Sequence, residues 1–255
     1  MGERMAALDG GVIETEPDLP VEERLSQIHD SLSQLVAWHE GFVAQLVARG
    51  FRVIRFDNRD IGLSQRFDHL GVPNLALDAL RHTVGVTVRS PYRLADLADD
   101  TAGLLDALGL KRAHVCGASM GGMVAQHMAV RHPQRLASLT LMMTGSGSRR
   151  LPQPSWKVQA AMLSRPKDPR NLDSVIEHGV RIYKVIGSPG YPLSDDYLRD
   201  LVGLAVRRSY RPAAVARQLV AIAADGDRTP LLASVRAPTQ ILQGRFMKLG
   251  FLLRF

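Results

Sequence analysis

Ala113-His114-Val115-Cys116-Gly117-Ala118-Ser119-Met120-Gly121-Gly122-Met123-Val124 is the stretch on which the fold turns. Ala113 to Cys116 reads as a short strand. Met123 to Arg131, rich in small apolar residues and stopped by His132-Pro133, reads as a helix. Between them lies G-x-S-x-G, where glycines before and after the serine let the backbone fold tightly and lift the hydroxyl out of a strand-to-helix turn. The helix N-terminus then sets free N–H groups and its positive dipole end beside Ser119, where a developing oxyanion would sit. An ordinary glycine-rich turn with an N-cap serine is the plainer alternative. A phosphate-binding turn fits less well, because the segment matches neither G-x-G-x-x-G nor the G-K-[ST] ending of a P-loop.

Outward from this turn the pattern alternates. Phe51 to Phe56 follows Gly50 and precedes Asp57-Asn58-Arg59-Asp60, so it reads as a strand between turns. Leu94, Leu97, Ala98, Leu104, Leu105 and Leu108 recur at helical steps, with Gly109 in the position of a helix C′ glycine. Leu136 to Met143 is an apolar run of strand length ended by Gly145-Ser146-Gly147. Strand, helix, strand, helix, strand implies an α/β fold with a mostly parallel sheet and right-handed crossovers. From Ser148 to Arg236 prolines and charges interrupt several short helical patterns, Pro212 to Ala224 being the clearest, and Pro238 to Leu242 reads as another buried strand. The expected organisation is an atypical N-terminal segment (1–33), an α/β core (34–147), an inserted helical cap (148–236), and a last core strand with an aberrant tail (237–255).

Composition narrows the function classes. The chain has 255 residues and a formal charge of +7 from 32 Lys+Arg against 25 Asp+Glu. Its arginines are scattered singly or in pairs among acids, and aromatics are only 5%, so neither a basic stripe nor a stacking platform for nucleic acid is present. The single cysteine, Cys116, excludes an intramolecular disulfide and any multi-cysteine metal site. Met1 to Gly10 lacks the apolar run of a signal peptide, and no stretch approaches the ~20 apolar residues of a membrane span. The expectation is a cytoplasmic protein without metal or cofactor, with no nucleic-acid or membrane partner and an oligomeric state that composition does not fix.

Besides the elbow, two stretches carry a family signature. They are Phe56-Asp57-Asn58-Arg59-Asp60-Ile61-Gly62-Leu63-Ser64, and Tyr92-Arg93-Leu94-Ala95-Asp96-Leu97-Ala98-Asp99-Asp100 ahead of the serine. With G-x-S-x-G they make the chain resemble the α/β-hydrolase superfamily, in particular the bacterial esterase branch that includes aclacinomycin methylesterase-like proteins. The resemblance spans about Gln34 to Gly244. Asp60 departs from it, since many members have glycine there. The resemblance implies that Ser119 is the nucleophile, that the Met120 backbone N–H is one oxyanion donor, and that Gly117 and Gly121 shape the elbow. Met120, Met123, Met142 and Met143 would lie near the site, although core filling accounts equally well for the last two.

A serine needs a histidine to take its proton and an acid to orient that histidine, in the chain order Ser, acid, His for this fold. The resemblance puts both after Pro238 to Leu242, yet Gly244 to Phe255 contains neither, so the last strand and helix are expected to be lacking. His127 stands roughly 12 Å along the same helix at 1.5 Å per residue and is out of reach. His132 reads as a helix end and His178 as a solvated cap residue. Asp225 and Asp227 read as loop acids, and Thr144-Gly145-Ser146 holds no acid after Leu136 to Met143. Val21 to Ser33 is read as too polar for the central strand that the family carries before Gln34. The expected function is hydrolysis of small carboxylic esters through an acyl-serine, impaired in this chain. The alternative is a non-catalytic ligand-binding or interaction protein on the same scaffold.

Overall fold

A computed structural model of the protein describes residues 5–8, 12–15, 25–29 and 34–243. Seven strands form one sheet: β1 Met5–Leu8, β2 Val12–Thr15, β3 Leu25–His29, β4 Arg52–Phe56, β5 Ala113–Ala118, β6 Leu136–Met142 and β7 Thr239–Leu242, in the order β1-β2-β4-β3-β5-β6-β7. β1 pairs β2 and β2 pairs β4 antiparallel; every other neighbour is parallel. The helices are α1 Glu40–Val47, α2 Leu75–Thr83, α3 Leu94–Ala107, α4 Met120–Arg131, α5 Trp156–Leu163, α6 Leu172–Ile186, α7 Asp195–Arg208, α8 Pro212–Asp225 and α9 Thr229–Leu232. The α/β class and the parallel sheet are as expected.

One expectation is corrected. Leu25–His29, within the segment read as too polar for a central strand, lies between β4 and β5 and pairs in parallel with both. Sheet membership is settled by backbone N–H and C=O groups, which every residue other than proline supplies whatever its side chain. Residues 244–255, the expected aberrant tail, lie outside the described residues, as do 30–33.

The core grows from strand residues on both faces of the sheet and one stripe on each flanking helix. Val53 and Ile54 of β4, Val115 of β5, and Leu139 and Leu141 of β6 are buried. Leu94, Leu97 and Leu105 of α3 and Val124 and Met128 of α4 cover β5 and β6 in one cluster. The Asp96 carboxylate accepts from the Arg93 N–H at 2.7 Å to cap α3, and Gly109 with φ +69° ends it, since the left-handed conformation costs a side chain. Five helices, α5 to α9, intervene between β6 and β7, and α6 and α7 share a small core of Ile176, Val180, Leu198 and Val202. No helix among the described residues is long and apolar enough to cross a membrane.

Cys116 faces a dry environment on β5, where burial pushes its thiol up to about 12. A thiol so rarely ionised is a poor nucleophile. Native protein at pH 8 is therefore expected to resist iodoacetamide, while urea-unfolded protein takes up one equivalent; rapid labelling of the native form would contradict this environment.

Candidate active site

Ser119 sits between β5 and α4 with φ +50° and ψ −117°, a conformation that costs a non-glycine residue of order 1–3 kcal/mol and persists only where surroundings enforce it. Those surroundings can be named. The Ser119 N–H donates to the Met142 carbonyl at 2.9 Å, tying the turn to β6. Its own carbonyl accepts from the N–H groups of Gly122 at 3.1 Å and Met123 at 3.2 Å. It accepts a third bond from the buried Thr144 hydroxyl at 2.7 Å. Gly117 lies so close under the first turn of α4 that a Cβ there would overlap the Gly121 carbonyl. A Cβ on Gly122 would stand 2.6 Å from Thr144 Cγ2. Thr144 thus locks the turn from two sides, a role its sequence position directly after an apolar run does not reveal.

Met120, Gly117 and Gly121, the other residues expected at the site, lie at this turn. Met120 is the first residue of α4, so its N–H has no intrahelical acceptor, while its side chain is 1% exposed and belongs to the core. Ser119 is half-buried, and its hydroxyl makes no hydrogen bond to a described residue. The backbone of His29, at the end of β3, is in register with Gly117.

None of the seven histidines with described side chains hydrogen-bonds to Ser119. His127 Nε2 meets Asp225 Oδ1 at 2.7 Å, and His132 Nε2 meets Asp99 Oδ1 at 2.7 Å as it ends α4. His114 Nδ1 meets the Ser138 hydroxyl at 2.8 Å, and His82 Nδ1 the Ala223 carbonyl at 3.1 Å. His39 caps α1 by accepting from the Gly41 N–H, and His69 lies against the Phe67 ring. His178 is half-buried and lines a cavity, which corrects its reading as a solvated surface group. Asp225, read as a loop acid, is the last residue of α8, its carboxylate enclosed between His127 and Arg228. Arg228 also donates to Gln126 Oε1 at 2.9 Å and the Gly145 carbonyl at 2.8 Å, so this cluster ties α4 to the segment after β6.

The two family-signature stretches dock on each other. Arg59 pairs with Asp100 at 2.5 Å, and the Tyr92 hydroxyl donates to Asp60 at 3.2 Å. Asp60, with φ +72°, takes Arg217 of α8 in a two-pronged pair at 2.5 and 2.9 Å, both side chains fully buried. Burial alone would raise the Asp60 carboxyl, but Arg217 and the N–H of Phe67 outweigh it and hold the group below the ordinary carboxylate range. Asp57 accepts from the Leu35 and Leu63 N–H groups and pairs with Arg208 of α7 at 2.8 Å. The turn after β4 therefore anchors both α7 and α8.

Among the described residues no group of three or more His, Cys, Asp or Glu is arranged to hold a metal ion. Ser119 does not line any of four well-formed cavities among the described residues. One of them, of about 480 Å³, is lined by Met123, one turn along α4 from the serine, together with Gly147, Leu219 and Ile222.

A mostly parallel sheet in this order, with a strained serine between its central strand and a buried helix, is the arrangement of one large family. Residues 29–181 match the model of the alpha/beta hydrolase fold family, and the chain belongs to that family. It is 29% identical over 180 residues to rhodomycin D methylesterase DauP of Streptomyces sp. (strain C5), covering 64% of this chain and 54% of that protein. It is 34% identical over 98 residues to the putative carbamate hydrolase RutD of Caulobacter sp. (strain K31), 38% of this chain and 29% of the other. The chain spans about half the length of the methylesterase. A crystal structure of a hydrolase from Pseudomonas aeruginosa PA01 superposes with a TM-score of 0.60 at 24% identity, covering 95% of this chain and 80% of that one. The meta-cleavage product hydrolase of Pseudomonas fluorescens IP01 gives 0.62 at 18%, covering 94% and 82%. These two likenesses establish the fold alone.

Proposed function

We propose that the protein is a serine hydrolase of small carboxylic esters, working through an acyl-Ser119 intermediate beneath a cap formed by α5 to α9. The single observation that carries this reading is the conformation of Ser119, a serine held at positive φ where β5 enters α4. Strain of that kind is kept where it positions a reacting group. The Ser119 oxygen would attack the ester carbonyl while losing its proton, the carbonyl oxygen would gather charge toward the Met120 N–H, and the alcohol would leave with a proton. Water then cleaves the acyl-serine to the acid and restores the hydroxyl. Relatives named as a methylesterase and a putative carbamate hydrolase both point to attack on an acyl carbon.

With no described histidine hydrogen-bonded to Ser119, turnover by this chain is expected to be slow and to rest on binding and the oxyanion donor. The same observation supports a second reading, a ligand-binding protein on a hydrolase scaffold. Purified protein with p-nitrophenyl butyrate separates them. A rate above buffer that disappears in Ser119→Ala is the expected result, and a rate unchanged by that substitution overturns the proposal. Saturable ester binding without turnover, equal in both proteins, would favour the second reading.

A further inference from the structure

Beneath α6 and α7, beside the turn that follows β4, lies a cavity of about 250 Å³. Its wall is mostly apolar, with Ile61 from the turn, Val175 from α6, Val202 and Val206 from α7, and Val215 from α8, and it also carries Gln34, His178 and Tyr210. One full cation stands in that wall, Arg211. Its Nη1 donates to the Ser64 carbonyl at 3.0 Å, and its Nε is buried without a hydrogen-bond partner among the described residues.

The surrounding charges are already matched. Asp57 pairs with Arg208, Asp60 with Arg217, and Asp68 with Arg217 at 3.2 Å, whereas Arg211 makes no ion pair with a described residue. Arg211 is also the N-cap of α8, a helix of 14 residues that begins with Pro212 and has no side-chain cap, so the positive end of its dipole opens at the same place. Burial and the nearby Arg66 disfavour the charge on Arg211 more than Asp60, Asp68 and Asp57 together favour it, so its surroundings gain from an added anion. A neutral ligand would leave that cation uncompensated, and a small inorganic anion would leave the apolar wall unfilled.

We propose that this cavity binds a monocarboxylate with a short aliphatic or aromatic body, its carboxylate on Arg211 and its body among the valines. Ser119 does not line this cavity, and the proposal stands whether or not that serine hydrolyses esters. A carboxylic acid is also the chemical class that ester hydrolysis releases, so occupancy of this cavity offers a route for product to act on the cap.

Isothermal titration of the full chain with sodium octanoate tests it, with octanol and sodium acetate as separate titrants. Octanoate is expected to bind one per chain, at least about tenfold more tightly than either, because a buried charge-assisted bond and the apolar wall must both be used. Arg211→Gln is expected to bring octanoate down to the level of octanol, and Ala205→Phe, which fills the cavity without changing charge, to abolish binding. Ser119→Ala is expected to leave binding unchanged. Octanol or acetate binding as well as octanoate overturns the proposal using unaltered protein alone, even if a variant fails to fold. Loss of octanoate binding in a folded Ser119→Ala variant also overturns it, by placing the ligand at the serine.

Discussion

Arg217→Met is expected to destabilise the protein by about 3–5 kcal/mol, the cost of removing one partner from a buried pair and leaving the other charge unmatched. Arg217 and Asp60 are both fully buried, and Arg217 additionally donates to the Gly71 carbonyl at 2.5 Å, a bond that methionine also removes. For a chain of this size that corresponds to a fall in melting temperature of roughly 6–20 °C. Asp60→Gly should be milder. Asp60 has φ +72°, where glycine is strain-free, so part of the loss is returned through the backbone. The double variant Asp60→Gly with Arg217→Met removes both charges and is expected to be more stable than Arg217→Met alone, a non-additivity of at least about 1 kcal/mol in a urea-unfolding cycle. Additive losses would mean that the pair contributes nothing as a pair. The pH dependence has a definite sign. Because the folded-state carboxyl is depressed, its contribution is complete above the unfolded value of about 3.9 and is lost as pH falls through the lower folded value. Melting curves of the unaltered protein should therefore hold this contribution through pH 5 and lose it below the ordinary carboxylate range.

What could be read from the residues in advance was local. The elbow, β4, β6 and α3 announce themselves through spacing within a dozen residues, and Gly117 through the tight turn it must make. What could not be read is settled by distant partners. β3 joins the sheet because β4 and β5 flank it on both sides, a fact its own polar residues do not contain. Asp60 departs from the family's usual glycine for a reason found 157 residues away, in Arg217. Asp225 reads as a loop acid because it precedes β7, yet His127, 98 residues earlier, turns it into an enclosed junction. Thr144 reads only as a position without an acid, yet its hydroxyl holds the serine's carbonyl. In each case the sequence shows the residue type and omits the neighbour that gives it a task.

Gly117→Ala tests the claim that the strained serine is enforced by close packing of β5 under α4. A methyl group at this position meets backbone, the Gly121 carbonyl and the Gly122 nitrogen, and backbone inside the first turn of a buried helix cannot rotate away as a side chain can. Overpacking costs typically 1–3 kcal/mol, and the rigid obstacle puts this substitution at the upper end of that range or beyond. Gly122→Ala is the matched comparison, since its added methyl meets only the side chain of Thr144, at 2.6 Å to Cγ2. That side chain can shift, though only by loosening its bond to the Ser119 carbonyl. The expected order in urea unfolding is therefore Gly117→Ala less stable than Gly122→Ala, and both less stable than the unaltered chain. A Gly117→Ala protein that unfolds at the same urea concentration as the unaltered chain, with an unchanged slope, would show that the turn has room to spare. Ser119 would then need another explanation for its positive φ.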